Sequence, residues 1–496
     1  MRGSMTVGPG EVKVRMYRQG LGDCFLLAFP GTGSRPCYVL IDCGLVTSAP
    51  RRDLLPRVVA DIRDATGGRL DVLVVTHEHW DHVSGFLEAE TEFREISIEN
   101  LWLAWTEKEG YAPADELRDL HRVRLAYVRT ALDRARQSPA LNHVSGLLDF
   151  FGEDLGADRG AAAGDRFQED LGAAGRRTVT AALKKARELC GSDPCYCFPH
   201  EILDVPGSSG VRAYVLGPPE DREKIERIDP TKAGHEVYTE ADGASLNART
   251  AFLMAARYGG SSTVPTGDTE KELYELSFPF DDRYRTDEQA AAARPFFQDH
   301  YGFKPEEGPE WRRIDHDWLE SAEDLALRLD RFTNNTSLAL AFELPRSRKV
   351  LLFPADAQVG NWLSWHDKPW TVNDGGASRQ VTSEELLART VLYKVAHHGS
   401  HNATLREKGL MMMSSPDLVA MVPVDVKTAH EVKRWRKMPF LPLLSELRKR
   451  TKGRILQVDA ALDEQAPKGV AADVWKDFLE RTRQEELYFE HTIHDD

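Results

Sequence analysis

Thr76-His77-Glu78-His79-Trp80-Asp81-His82 is the stretch on which the reading of this chain turns. Sixteen His among 496 residues would put about 0.2 in the six positions 77–82, yet three stand there beside an Asp. The run Val72-Leu73-Val74-Val75 precedes it and predicts a strand buried on both faces. His77 and His79 are two apart, so an extended backbone sends both imidazoles to one side. Asp81 and His82 follow once the chain turns, and Gly85 permits a close approach. Neutral imidazole and carboxylate are ligands of Zn2+, Mn2+ and Fe2+, so the window predicts a metal site in preference to a solvated loop.

The rest of the composition bounds what such a site can serve. Lys and Arg number 64 against 79 Asp and Glu, a formal charge of −15, which argues against coating nucleic acid over a broad surface but leaves room for a local basic groove. With 41 % hydrophobic and 29 % charged residues the bulk of the chain is globular, not disordered. No apolar run approaches the ~18 residues of a membrane span, and no secretory leader pattern opens the chain. Six Cys (24, 37, 43, 190, 195 and 197) are too dilute for a disulfide scaffold. A cytoplasmic protein with reduced thiols and no membrane partner is expected.

Strand signals recur along the chain. They stand at Glu11–Tyr17, Cys24–Phe29, Cys37–Asp42, Val211–Leu216, Leu338–Phe342, Val350–Phe353, Val391–Val395, Leu418–Val422 and Arg454–Val458. Leu54–Thr66, Leu117–Arg136, Thr178–Leu189 and Leu441–Arg450 carry helical spacing. Gly152–Gly175 and residues 220–332 read as loop or irregular insertion.

The pattern H-x-H-x-D-H resembles the metal motif of the metallo-β-lactamase fold superfamily. Asp42 in Ile41-Asp42-Cys43-Gly44 resembles the family's upstream Asp, which orients the metal loop. Asp356, after Leu351-Leu352-Phe353-Pro354-Ala355, resembles its metal-bridging carboxylate. His397-His398-Gly399-Ser400 resembles its final-His motif. Asn334-Asn335-Thr336-Ser337-Leu338 and Leu216-Gly217-Pro218-Pro219 are similar to the soluble hydrolase domain of bacterial DNA-uptake competence channel proteins. The likeness covers roughly residues 11–90, 195–220 and 333–460.

That resemblance implies an αββα sandwich with large helical or irregular insertions. It divides the chain into 5–104 (first half of the core, with the metal loop), 105–190 (helical insertion) and 191–219 (core strands). Residues 220–332 follow as insertion or lid, 333–463 as the second half of the core, and 464–496 as an acidic C-terminal helix and tail. It implies one or two ions, zinc first, with Mn2+ or Fe2+ as alternatives. His77 and His79 would hold the first metal; Asp81, His82 and one of His397 and His398 would hold the second; Asp356 would bridge. His397 is the favoured ligand of that pair, with His398 at the substrate. Family members often add a His midway, for which His121, His143, His200 and His235 are candidates without convincing context. Thr266-Gly267-Asp268 imitates the bridging motif but lacks a strand before it, so Asp356 is preferred.

The expected reaction is hydrolysis by a metal-bound hydroxide, with Asp81 or Asp356 taking the proton. Asp42, Asn335 and Ser400 are expected to support metals or substrate. Ten Lys/Arg lie between Lys427 and Arg454, and they form either a solvated helix face or a phosphate-attracting wall led by Lys433, Arg434 and Arg436. The resemblance makes a phosphodiester, of nucleic acid or nucleotide, the first choice of substrate. The rivals are an ester, thioester or lactone hydrolase on the same fold, and a metal-bearing interaction module whose insertions or acidic tail dock a protein partner. Cys190, Cys195 and Cys197, with His200 close by, lack the two-plus-two spacing of a zinc knuckle, and the three thiols are expected to pack in or beside a strand.

Overall fold

The computed structural model describes residues 4–46, 49, 51, 53–134, 178–227, 290–291, 293–301, 329–374, 377–433, 435 and 437–496. Two units separate by their internal contacts: residues 1–109, 149–241 and 331–496 form one, and 110–148 with 242–330 form the other. The expected decoy Asp268, the candidates His143 and His235, and the wall residues Arg434 and Arg436 lie outside the described residues.

The first unit carries two large sheets. The order of the eight-stranded sheet is Thr482–Gln484, Tyr488–His494, Glu11–Tyr17, Phe25–Phe29, Cys37–Ile41, Val72–Val75, Leu101–Ala104, Cys195–Cys197. The seven-stranded sheet runs Ile455–Gln457, Val419–Val422, Thr390–Lys394, Val350–Phe353, Ala339–Glu343, Arg212–Gly217, Ile202–Asp204. Phe25–Phe29, Cys37–Ile41, Val72–Val75, Leu101–Ala104, Val350–Phe353 and Val419–Val422 are buried on both faces, as their unbroken hydrophobic runs require. Phe25, Leu27, Val39, Val72 and Val74 of the first sheet share one core cluster with Val215, Leu340, Phe342, Leu351 and Leu392 of the second. Phe25 meets Phe353 edge-on at 5.6 Å between ring centroids. The other faces bury Leu40, Leu73 and Val75 with helix Leu54–Thr66, and Leu352 and Tyr393 with Trp362, Leu386 and Leu443. Each fully buried Leu or Val contributes about 1.5–3 kcal/mol.

Within each sheet a parallel block sets up the site. Cys37–Ile41, Val72–Val75 and Leu101–Ala104 are parallel neighbours, as are Val350–Phe353, Thr390–Lys394 and Val419–Val422. Groups at the carboxyl ends of such strands collect where open α/β sheets bind ligands. Asp42, Thr76 and Asp356 follow those ends, and Lys394 closes its strand.

Two expectations change. Residues 464–496 are not a helix with a frayed tail. After helix Ala472–Glu480 the chain forms two strands, and Tyr488–His494 pairs antiparallel with Glu11–Tyr17 from Glu11↔His494 to Tyr17↔Tyr488. The cause is the β-favouring run Tyr488-Phe489-Glu490-His491-Thr492-Ile493, pinned by buried Arg15 between Asp61 (2.8 Å) and Glu490 (2.6 Å). Helix Val179–Leu189, expected within the 105–190 insertion, packs into the core of the first unit instead, because Ala182, Leu183 and Ala186 turn one apolar face toward Phe86 and Phe93.

Candidate metal centre

Asp42 is the anchor of the site. Its Oδ1 accepts the Thr76 backbone N–H at 2.9 Å, and its Oδ2 accepts from Thr76 Oγ1 at 2.7 Å and from His82 Nδ1 at 2.8 Å. A carboxylate only accepts, so His82 Nδ1 carries a proton and Nε2 faces inward. Thr76 Oγ1 gives its hydrogen to Asp42 and accepts from His77 Nδ1 at 3.1 Å, which turns the His77 Nε2 lone pair inward too. His398 Nδ1 donates to the Pro423 carbonyl at 2.8 Å, leaving Nε2 to face Asp81.

Four donor atoms thereby form a ring. His82 Nε2 to Asp356 Oδ2 is 3.2 Å, Asp356 Oδ2 to His398 Nε2 is 3.7 Å, His398 Nε2 to Asp81 Oδ2 is 2.9 Å, and Asp81 Oδ2 to His82 Nε2 is 3.9 Å. A regular tetrahedron with metal bonds of ~2.0–2.1 Å has edges of ~3.3–3.4 Å, which those separations bracket. Beside the ring, His77 Nε2 and His79 Nδ1 stand 3.1 Å apart, and the His77 and His82 rings are 4.2 Å apart. His397 Nε2 lies 4.0 Å from Asp356 Oδ2.

The donor set suits a cation. Asp23, Asp42, Asp81 and Asp356 are all buried, and Lys394 is the buried cation among them, 2.5 Å from Asp23 and 3.1 Å from Asp356. Asp23 Oδ1, Asp81 Oδ1 and His82 Nε2 are buried without a hydrogen bond, an arrangement that burial penalises unless an ion completes it. Burial lowers the His82 pKa, but Asp356, Asp23, Asp81 and Asp42 outweigh it and hold it well above the usual histidine value. Burial raises Asp356, yet His82 and Lys394 overcome this and hold it well below the usual carboxylate range. Burial and the neighbouring His82 and His79 push His77 well down, and burial lowers His397 to about 3.

Backbone geometry is committed to this convergence. Asp42, Ala355, His397 and His398 all have left-handed φ (55°, 52°, 43° and 53°), a cost that clusters at functional sites. Gly44 leaves no room for a side chain, since a Cβ there would stand 2.1 Å from the Asp81 carbonyl carbon and 2.3 Å from the His82 nitrogen.

Asp23 and Lys394 escaped the sequence reading. Asp23 ends the turn Gly20-Leu21-Gly22-Asp23 between two strands, and Lys394 is one polar residue in a strand. Asp23, His82, Asp356 and His398 offer ligand atoms within 4.8 Å of one another. Asp23 nevertheless faces the back of both rings, 3.8 Å from His82 Nδ1 and 3.7 Å from His398 Nδ1. Among the described residues no group of potential ligands stands apart from this centre; Cys190, Cys195, Cys197 and His200 make none. His200 packs against Trp370 with the rings tilted by 41° and their centroids 5.1 Å apart, and His121 belongs to the second unit. Asn335 braces the loop that follows Asp356: its Oδ1 accepts from Gln358 N and Asn361 N, and its Nδ2 donates to the Ile225 and Arg227 carbonyls. Ser400 Oγ donates to Asn402. Lys433 is buried, with its Nζ 5.6 Å over the Trp435 ring, and the segment that follows reaches Gly399, the residue after the His pair, through Phe440 N–H to Gly399 O at 2.8 Å.

Residues 19–136 match the metallo-beta-lactamase superfamily profile, a span that holds Asp23, Asp42 and His77–His82. No curated protein and no solved structure matches the chain. The matched span and the buried Asp/His cluster together indicate a metal-dependent hydrolase. Among the described residues no helix is long and apolar enough to cross a membrane.

Proposed function

We propose that the chain is a metal-dependent phosphodiesterase acting on nucleic acid or nucleotides, on an αββα sandwich. The core cluster shared by both sheets, with a further cluster on each outer face, supports the layering. The observation that carries the function is the ring of His82 Nε2, Asp81 Oδ2, His398 Nε2 and Asp356 Oδ2, with edges of 2.9–3.9 Å. These four residues would hold one ion, zinc by donor type. His77 and His79, beside Asp356, would hold a second. A divalent cation bound there supplies a Lewis acid that activates water and polarises the scissile group.

The protein's own groups do the rest. Asp42 and Pro423 O fix the tautomers of His82 and His398. Lys394 engages Asp356 Oδ1, so that Oδ2 is the oxygen presented to the imidazoles. Asp81 Oδ1, buried and without a hydrogen bond, is the acceptor placed to take the proton of the attacking water. A phosphodiester is preferred on the resemblance set out above and on the cationic segment from Lys427, which adjoins Gly399 through Phe440. The test is metal content by mass spectrometry, with bis-p-nitrophenyl phosphate, single-stranded DNA, RNA, a lactone and a chromogenic lactam assayed side by side. Phosphodiester turnover that needs metal and disappears in Asp356→Ala is expected. Turnover of the lactone or lactam alone would establish the ester-type reading instead.

A further inference from the structure

We propose that His397 is a hydrogen-bond donor to the substrate through Nε2, not a metal ligand, and that Gln358 is the residue that positions it. The inference rests on the metal-centre reading above. The two adjacent His rings stand 5.9 Å apart between centroids and are held by different partners. His398 Nδ1 donates to a carbonyl, so its Nε2, 2.9 Å from Asp81 Oδ2, is the nitrogen that can give up its proton to a cation. His397 Nδ1 meets the amide nitrogen Nε2 of Gln358, at 3.4 Å.

Behind that amide runs a chain of side chains that ends at the Ser400 hydroxyl. Gln358 Oε1 accepts from Asn402 Nδ2 at 2.8 Å, and Asn402 Oδ1 accepts from Ser400 Oγ at 2.9 Å. Gln358, Asn402 and Ser400 are all buried. An amide nitrogen only donates, so His397 Nδ1 is the acceptor and the neutral ring carries its proton on Nε2. That N–H cannot bind a cation. It stands 4.0 Å from Asp356 Oδ2, at the edge of the donor ring, where a phosphoryl oxygen of a substrate bound at the metals would come within its reach. The doublet thus divides its work, with His398 turned to metal and His397 to substrate, and the left-handed φ of both residues lets the two rings converge on one carboxylate.

The experiment compares wild type, His397→Ala, His397→Gln, His398→Ala and Gln358→Glu in the full chain loaded with Zn2+. Metal per chain is measured by mass spectrometry, kinetics with bis-p-nitrophenyl phosphate, and the protonated ring nitrogen from imidazole 15N shifts. His397→Ala is expected to keep the wild-type metal content and to lose about 10- to 100-fold in kcat/KM. His397→Gln, whose amide also donates, recovers part of that loss, while His398→Ala loses metal. Gln358→Glu puts an acceptor opposite Nδ1 and is expected to move the His397 proton there, exchanging the two 15N shifts. Metal loss in His397→Ala, unchanged kinetics in that variant, or a wild-type proton on Nδ1 would each overturn the assignment. If wild type takes up no metal, the metal-centre reading fails, and the 15N tautomer alone still decides for or against His397.

Discussion

Asp42→Asn tests the metal centre through the exchange of a single atom. Asparagine has nearly the volume of aspartate and tolerates the left-handed φ of 55° found here, so packing and backbone stay as they are. What changes is the donor balance at three hydrogen bonds of 2.7–2.9 Å. If the new amide nitrogen replaces Oδ1, it confronts the Thr76 backbone N–H. If it replaces Oδ2, it confronts His82 Nδ1–H and the Thr76 hydroxyl, and His82 answers by moving its proton to Nε2, in the middle of the donor ring. The buried mismatch costs about 1–3 kcal/mol, and loss of an orienting partner weakens metal binding about 10–100-fold. The assay is competition with a chromophoric chelator for Zn2+, alongside urea unfolding and far-UV circular dichroism. Wild-type metal affinity in a folded Asp42→Asn protein would show that Asp42 does not orient the ligands, and the reasoning would fail at its root.

Other substitutions probe different parts of the construction. Gly44→Ala drives a methyl into the Asp81 and His82 backbone and is expected to displace the metal loop, cutting metal content and lowering stability by about 1–3 kcal/mol or more; a fully loaded variant would contradict this. Lys394→Met leaves Asp23 and Asp356 without their counterion and should cost about 3–5 kcal/mol in chelator, a deficit that shrinks when a divalent cation is added. An equal deficit with and without metal would argue against it. His491, buried with Nδ1 2.9 Å from Thr482 Oγ1, has its pKa lowered by burial to about 3. It stays neutral in the fold while the unfolded chain takes a proton below ~6.5, so its contribution is full above that pH and is lost as the pH falls toward 3. Urea unfolding should lose about 2 kcal/mol between pH 7 and pH 5 from this residue, and His491→Phe should remove that part of the acid limb.

Much of the site was legible because spacing and strand position are local. His77-x-His79 on an extended backbone, Asp81 and His82 past the turn, and Asp356 after an apolar run each carry their chemistry in a few residues. Asp42 was legible in the same way, directly after Cys37–Ile41. What stayed hidden depends on tertiary placement. Asp23 sits in a turn like many others, and only the fold puts it against Lys394. His397 and His398 are indistinguishable in sequence; Gln358 and Pro423, which give them different partners, come from other segments. The strand Tyr488–His494 was read as an acidic tail because its pairing partner lies at the far end of the chain, where no local periodicity reports it.

That pairing also governs how the protein is made. Arg15 and Glu490 are separated by 475 residues, and the sheet edge at Glu11–Tyr17 finds its neighbour only when Tyr488–His494 has emerged from the ribosome. Until then the nascent chain presents an unpaired strand of the kind that recruits foreign strands, with closure deferred to its most distant contact. A translation product arrested before Tyr488 would already contain each of the candidate ligand side chains, yet it would leave Glu11–Tyr17 without its partner strand.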